Sequence, residues 1–127
     1  MKTSMTIERL EQVVRVLKEL PPEKKFDLGG WMKCGTTGCA IGWAASDPWF
    51  TRRGLKLIHS CGWLRSGEWC PQYRGQGGVE MSLRCFFGMG WDDINYLFFP
   101  GSYPAPNNSR RHVIARINKY VQQLRSV

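Results

Sequence analysis

No C-x-x-C pair occurs in the chain, and its five cysteines are an odd number. A secreted disulfide framework wants an even count at regular spacings, so the cysteines are expected to be reduced thiols acting mostly as small hydrophobes. Only two histidines, His59 and His112, are present to serve as bases or ligands. No apolar run approaches the roughly 18 residues needed to span a bilayer. The N-terminus also lacks the basic-then-apolar pattern of a leader. These absences exclude a membrane partner and predict a soluble protein of the cytoplasm. Internal repeats and low-complexity stretches are missing too. Acidic side chains are scarce, 10 against 18 Lys and Arg, which leaves a net charge of +8.

What is present fits one globular domain covering 1–127, long enough for a real core but not for two. The positive excess lies in two blocks. One is 31–75, with Arg52, Arg53, Lys56, Arg65 and Arg74, and the other is 101–127, which contains no acid. Such blocks fit contact with nucleic acid, a nucleotide phosphate or an acidic protein face, and equally a solvated surface.

The spacing predicts a mainly α, small single-domain helical protein. A first helix, capped by Thr6 or Ser4, places Ile7, Leu10, Val13, Val14, Leu17 and Leu20 on one face and stops at Pro21-Pro22. The stretch 39–45 is apolar all round, which predicts a short, buried, central helix with Thr36 or Thr37 as its cap. Asp47-Pro48 is a helix start, with Asp as cap and Pro at the first position. Residues 55–61 alternate imperfectly and read as a strand. From Gly62 to Gly78 the chain reads as a long irregular loop with room for a β-hairpin, the kind of segment that carries function. Helices follow at Val79–Phe87, ending at Gly88, and from Gly90 or Trp91, with Asp92 and Asp93 in the first turn. The last helix, capped by Asn108 or Ser109, gathers Val113, Ile114, Ile117, Tyr120, Val121 and Leu124. Its Arg111, Arg116, Lys119 and Arg125 spread around the outer side, the pattern of a solvated face.

Phe26-Asp27, Trp31, Cys34-Gly35-Thr36, Cys39 and Gly42-Trp43-Ala44 form a pattern F-(D/N)…W…C-G-T-x-x-C-x-x-G-W-A. Phe87-Gly88-Met89 and Leu97-Phe98 extend it as L-G-L-(S/T) and L-F steps. On these blocks the chain resembles a family of small bacterial and phage-encoded proteins. The stretch from Arg52 to Gly78 lies outside the resemblance, and Gly90 replaces its usual Ser or Thr cap. The resemblance implies a protein carried by phages or mobile elements, a setting in which small proteins bind and block host defence machinery. It implies no reaction and no cofactor.

Three sites are weighed from the residues. Tryptophan, tyrosine and arginine are enriched at binding hot spots and stack on nucleotides. On that ground Arg52, Arg53, Trp63, Arg65, Trp69, Tyr73 and Arg74 form the preferred binding surface. Its expected partner is a host protein or ribonucleoprotein complex, with nucleic acid as the other candidate, and an anti-CRISPR-like inhibitor is the most concrete form. Alternatively, Cys39 at a helix N-terminus is a nucleophile with His59 or His112 as base. As a third reading, Cys34, Cys39, His59 and Cys61 hold zinc, although only Cys34-x4-Cys39 and His59-x-Cys61 approach the usual spacing. No cofactor is favoured, and zinc is the one these residues would admit.

Overall fold

The computed structural model describes residues 2–27, 32–33, 37–58, 68–75, 78–104 and 109–126. As the periodicity predicts, the architecture is mainly α, with short strands between the helices. In order it runs α1 (Lys2–Lys18), β1 (Lys25–Phe26), β2 (Met32–Lys33), β3 (Thr37–Gly38), α2 (Ala40–Ala44) and α3 (Pro48–Thr51). Then come β4 (Leu55–Ile58), β5 (Glu68–Tyr73), α4 (Val79–Phe87), α5 (Trp91–Phe98), a 3-10 turn (Pro100–Ser102) and α6 (Arg110–Arg125). Among the described residues no helix is long and apolar enough to cross a membrane.

Leu10, Val13, Val14 and Leu17 are buried on one face of α1, which packs on α2, α4 and α6. The helix starts at Lys2, ahead of the expected cap. Thr6 therefore lies within the helix, buried, and donates its hydroxyl to Phe87 O at 2.5 Å. A tertiary acceptor has taken the hydroxyl that local capping would have used.

Every residue of α2 is buried, as its apolar composition requires. Its cap differs from the expected threonines. Cys39 holds the N-cap position and Thr37 belongs to β3, because the chain pairs as a strand up to Gly38 before turning. Trp43 is buried and donates its indole N–H to Lys25 O at 3.0 Å, which joins α2 to β1. Helix α3 starts as Asp47-Pro48 predicts, with the carboxylate accepting from Trp49 N at 3.0 Å.

The strands form one sheet in the order β1-β3-β2-β5-β4. Strand β1 is parallel to β3, and the remaining pairs are antiparallel. Part of the expected irregular loop is thus ordered as β5. Pro71 obscured it, since proline cannot donate to a ladder. It is tolerated because β2 covers β5 only at Glu68 and Trp69, which leaves one side of Pro71 without a strand neighbour among the described residues.

Tyr73 donates its backbone N–H to Ser82 Oγ at 3.1 Å, seating α4 on β5. Gly88, with φ 67°, ends α4 in the left-handed conformation that glycine adopts without strain. A chain of ring contacts runs through the core from Phe50 to Phe86, Phe87 and Phe98, at centroid separations of 5.6, 5.0 and 5.3 Å.

Candidate functional site

Most of the arginines are used inside the fold. Arg15 bridges Asp47 at 2.7 Å and Glu19 at 3.0 Å, Arg84 pairs with Glu80, and Arg125 pairs with Glu11. The Arg15 guanidinium is held above its ordinary pKa, chiefly by its hydrogen bond to Asp47. Three more arginines reach the carbonyls at helix ends. Arg9 donates to Phe86 O, Arg110 to Leu17 O and Leu20 O, and Arg116 to Tyr96 O and Ser102 O. The outer side of α6 is therefore not simply solvated: Arg116 and Arg125 both have internal partners.

A different set collects at one end of the β4–β5 pair. Helix α3, fixed through Asp47 to Arg15, delivers the turn Arg52-Arg53-Gly54 directly into β4. Arg53 donates to Trp49 O at 2.9 Å, and its guanidinium lies 3.7 Å from the centre of the Trp49 ring. Gly54 is needed on two counts. Its φ is +98°, and a Cβ there would meet Arg74 Cγ at 3.1 Å and Tyr73 Cε1 at 3.3 Å. Arg74 thus lies across the turn, with its guanidinium 5.1 Å from the Tyr73 ring centre. Lys56, exposed on β4 opposite Gln72, adds a fourth cation.

Among the described residues Arg52, Arg53, Lys56 and Arg74 have no carboxylate partner. Glu68 belongs to the same strand but stands six positions from Arg74, roughly 20 Å along β5. Arg74 also carries the only positive φ of a described non-glycine residue, 49°. That conformation costs roughly 1 kcal/mol for a residue with a Cβ.

The structure thus brings together Arg52, Arg53, Tyr73 and Arg74 of the expected binding set. Trp69 is one of the few exposed large apolar side chains, but it lies four positions up β5, roughly 13 Å from Tyr73. Trp63 and Arg65 lie outside the described residues. Sequence reasoning left Lys56 out of the site, although its place between Leu55 and Leu57 in an alternating strand was a usable signal.

The cysteine readings change more. Cys39 is buried, 2% exposed, and its sulfur accepts from Gly42 N at 3.4 Å. Burial pushes the thiol up to about 12, outweighing the backbone N–H groups that favour the thiolate. A nucleophile needs an accessible thiolate, so Cys39 has the environment of an inert core thiol. His112, one proposed base, instead contacts Ser109 Oγ through Nδ1 at 2.7 Å on the start of α6. His59, the other, lies outside the described residues, as do Cys34 and Cys61 of the zinc set. Among the described residues no group of three or more His, Cys, Asp or Glu side chains is placed to hold a metal. The expectation of uniformly reduced thiols is corrected at Cys70, which is disulfide-bonded, while Cys39 and Cys85 are free. An odd count leaves room for a pair, and tertiary placement decides which cysteines meet.

No family model, curated protein or solved structure matches this chain.

Proposed function

We propose that this is a non-enzymatic binding protein that engages a host macromolecule of opposite charge through the basic end of the β4–β5 pair. The observation that carries the reading is the contrast among the arginines. Six hold the fold together through carboxylates or helix carbonyls, while Arg52 and Arg74, with Lys56, project charge that the described fold leaves unmatched. Like charges held this close repel one another, and an anionic ligand relieves that repulsion. Burial of Cys39 argues against the cysteine-enzyme alternative.

In its most concrete form the protein inhibits a defence complex, of the anti-CRISPR type, in the cytoplasm of a bacterial host. The likeness to phage-encoded proteins supports that setting. No cofactor is invoked, and zinc has no role in the binding step. Burial protects a disulfide from reductants in a reducing compartment, and Cys70 is 2% exposed.

The test is capture from bacterial lysate with three proteins: the native chain, Arg52→Glu/Lys56→Glu/Arg74→Glu, and Arg111→Glu/Lys119→Glu. The last pair carries exposed cations on α6, a helix that packs chiefly on α1 and α5. The native chain and the α6 variant should retain the same acidic macromolecule, and the triple variant should lose it. Equal capture by all three would remove this surface from the function.

A further inference from the structure

The geometry points to a nucleic acid as the partner, held through its phosphates without reading of base edges; this rests on the binding surface proposed above. Three features separate phosphate backbone from an acidic protein face. The first is that, among the described residues, no fully exposed large apolar side chain stands in the turn that carries the cations, where Trp49 and Tyr73 are half-buried beneath arginines. Protein interfaces centre on a desolvated, charge-poor core with aromatic or aliphatic side chains. The exposed large apolar residues among those described are Trp69, Met81 and Tyr96, and none lies in the turn that carries the cations. Interfaces with nucleic acid are the ones that are this polar and this positive.

The second feature is spacing. Neighbouring strands lie roughly 4.8 Å apart, so Lys56 on β4 and Arg74 just beyond Gln72 on β5 stand within about one Debye length at moderate salt. Arg52 and Arg53 adjoin them through Gly54, whose carbonyl accepts from Arg74 N at 3.4 Å. Four like charges so close are best neutralised by a ligand with negative charge repeated at short intervals. A phosphodiester strand has that property.

The third is the way the guanidiniums are held. The Arg53 guanidinium lies 3.7 Å from the Trp49 ring centre and donates to Trp49 O, and Arg74 spans Gly54 with its guanidinium 5.1 Å from the Tyr73 ring centre. A guanidinium held over a ring loses little freedom on binding, and the N–H groups that Arg53 does not give to Trp49 O, with those of Arg74, suit contact with phosphate oxygens. The left-handed backbone at Arg74 sets that placement, where a glycine would have been unstrained.

The experiment measures binding of the full chain to a labelled mixed-sequence oligonucleotide, single-stranded and duplex, and to poly-L-glutamate, across a salt series. With about four phosphate contacts the slope of log K against log salt should be roughly −3.6 on duplex and roughly −2.8 on single strands. Duplex affinity should then fall roughly a hundredfold from 50 to 200 mM salt. Arg52→Gln/Lys56→Gln, both exposed positions outside the core, should weaken binding to all sequences alike and reduce the slope by about 2. Unchanged circular dichroism will confirm that this variant folds, and Arg52→Gln alone, with a slope reduced by about 1, gives the same reading if it does not. Poly-L-glutamate should bind at least tenfold more weakly than either oligonucleotide. Tighter binding of poly-L-glutamate would overturn the nucleic-acid assignment while leaving the surface intact. No oligonucleotide binding at low salt, or an unaltered slope in the variants, would overturn it as well. Lysate capture distinguishes the two proposals: material that survives nuclease yet is lost by the charge-reversed protein refutes only the assignment to nucleic acid.

Discussion

Cys39 and Cys85 are both free thiols, one buried at the N-cap of α2 and one exposed on α4. Residue type and a helix start pointed to Cys39 as the reactive one, since unpaired N–H groups favour a thiolate. The sulfur does accept such an N–H, from Gly42, but the loss of water around it has the larger effect and the thiol is held neutral. An alkylating reagent applied to the native protein should therefore modify Cys85 and leave Cys39 unmodified until the chain is unfolded. Cys70 should remain unmodified even then, unless a reductant is added. Peptide mapping by mass spectrometry reads all three. Labelling of native Cys39 at a rate near that of Cys85 would restore the nucleophile reading. The apolar stretch 39–45 announced a buried helix, but its cap was expected at Thr36 or Thr37, so the sulfur's own place at the N-cap was not legible.

Helix ends show the same division between local and distant causes. Three C-termini receive an arginine from another helix: α1 from Arg110, α4 from Arg9 and α5 from Arg116. The last carbonyls of a helix lack intrahelical donors and carry partial negative charge, so a guanidinium there satisfies both needs. Arg116 in addition stacks on Tyr103 at 3.7 Å from the ring centre. Arg116→Met and Arg110→Met should each lower stability by about 1.5–3 kcal/mol, the range for hydrogen bonds to a charged group. Arg111→Met, at an exposed position of the same helix, should stay within about 0.5 kcal/mol. Urea unfolding of the three variants decides, and equal midpoints would show that these contacts contribute nothing net. The helices themselves were legible. Asp47-Pro48 and Gly88 mark a start and a stop by local chemistry, and the faces of α1, α5 and α6 follow from period. The two-residue strands β1, β2 and β3 are too short to carry a period at all. The caps were illegible because the partners of Arg110 and Arg9 are 93 and 77 residues distant. For the same reason the charge block at 52–74 could be read as basic, while its separation from the structural arginines could not.

For the molecule as a whole, two tendencies oppose each other as pH rises. A chain of net charge +8 loses self-repulsion as its cations begin to deprotonate, which favours the compact state. Against this stand three groups that the fold keeps neutral. Cys39 is raised from 9.0 to about 12 by burial, and Tyr103 from 10.0 to about 12, again mainly by burial. Tyr120 is raised equally, by burial first and then by its hydrogen bond to Asp93. In the unfolded chain each gives up its proton at the lower pH, so between the two values the native state binds more protons than the unfolded state. Stability then falls with pH. Their contribution is fully present below about pH 9 and is lost progressively up to about pH 12, with Cys39 acting first. The repulsion term is spread over an exposed, salt-screened surface, whereas Cys39 and Tyr103 titrate inside the core, so the proton term should prevail. Urea midpoints should hold steady from neutral pH to about pH 9 and then decline. Cys39→Ala should delay the onset of that decline by about one pH unit, because the phenols begin to ionise only near 10 in the unfolded chain. A midpoint that rose through this window, or an onset that Cys39→Ala failed to move, would mean that surface charge governs the alkaline limb and that the thiol is not sealed in the core.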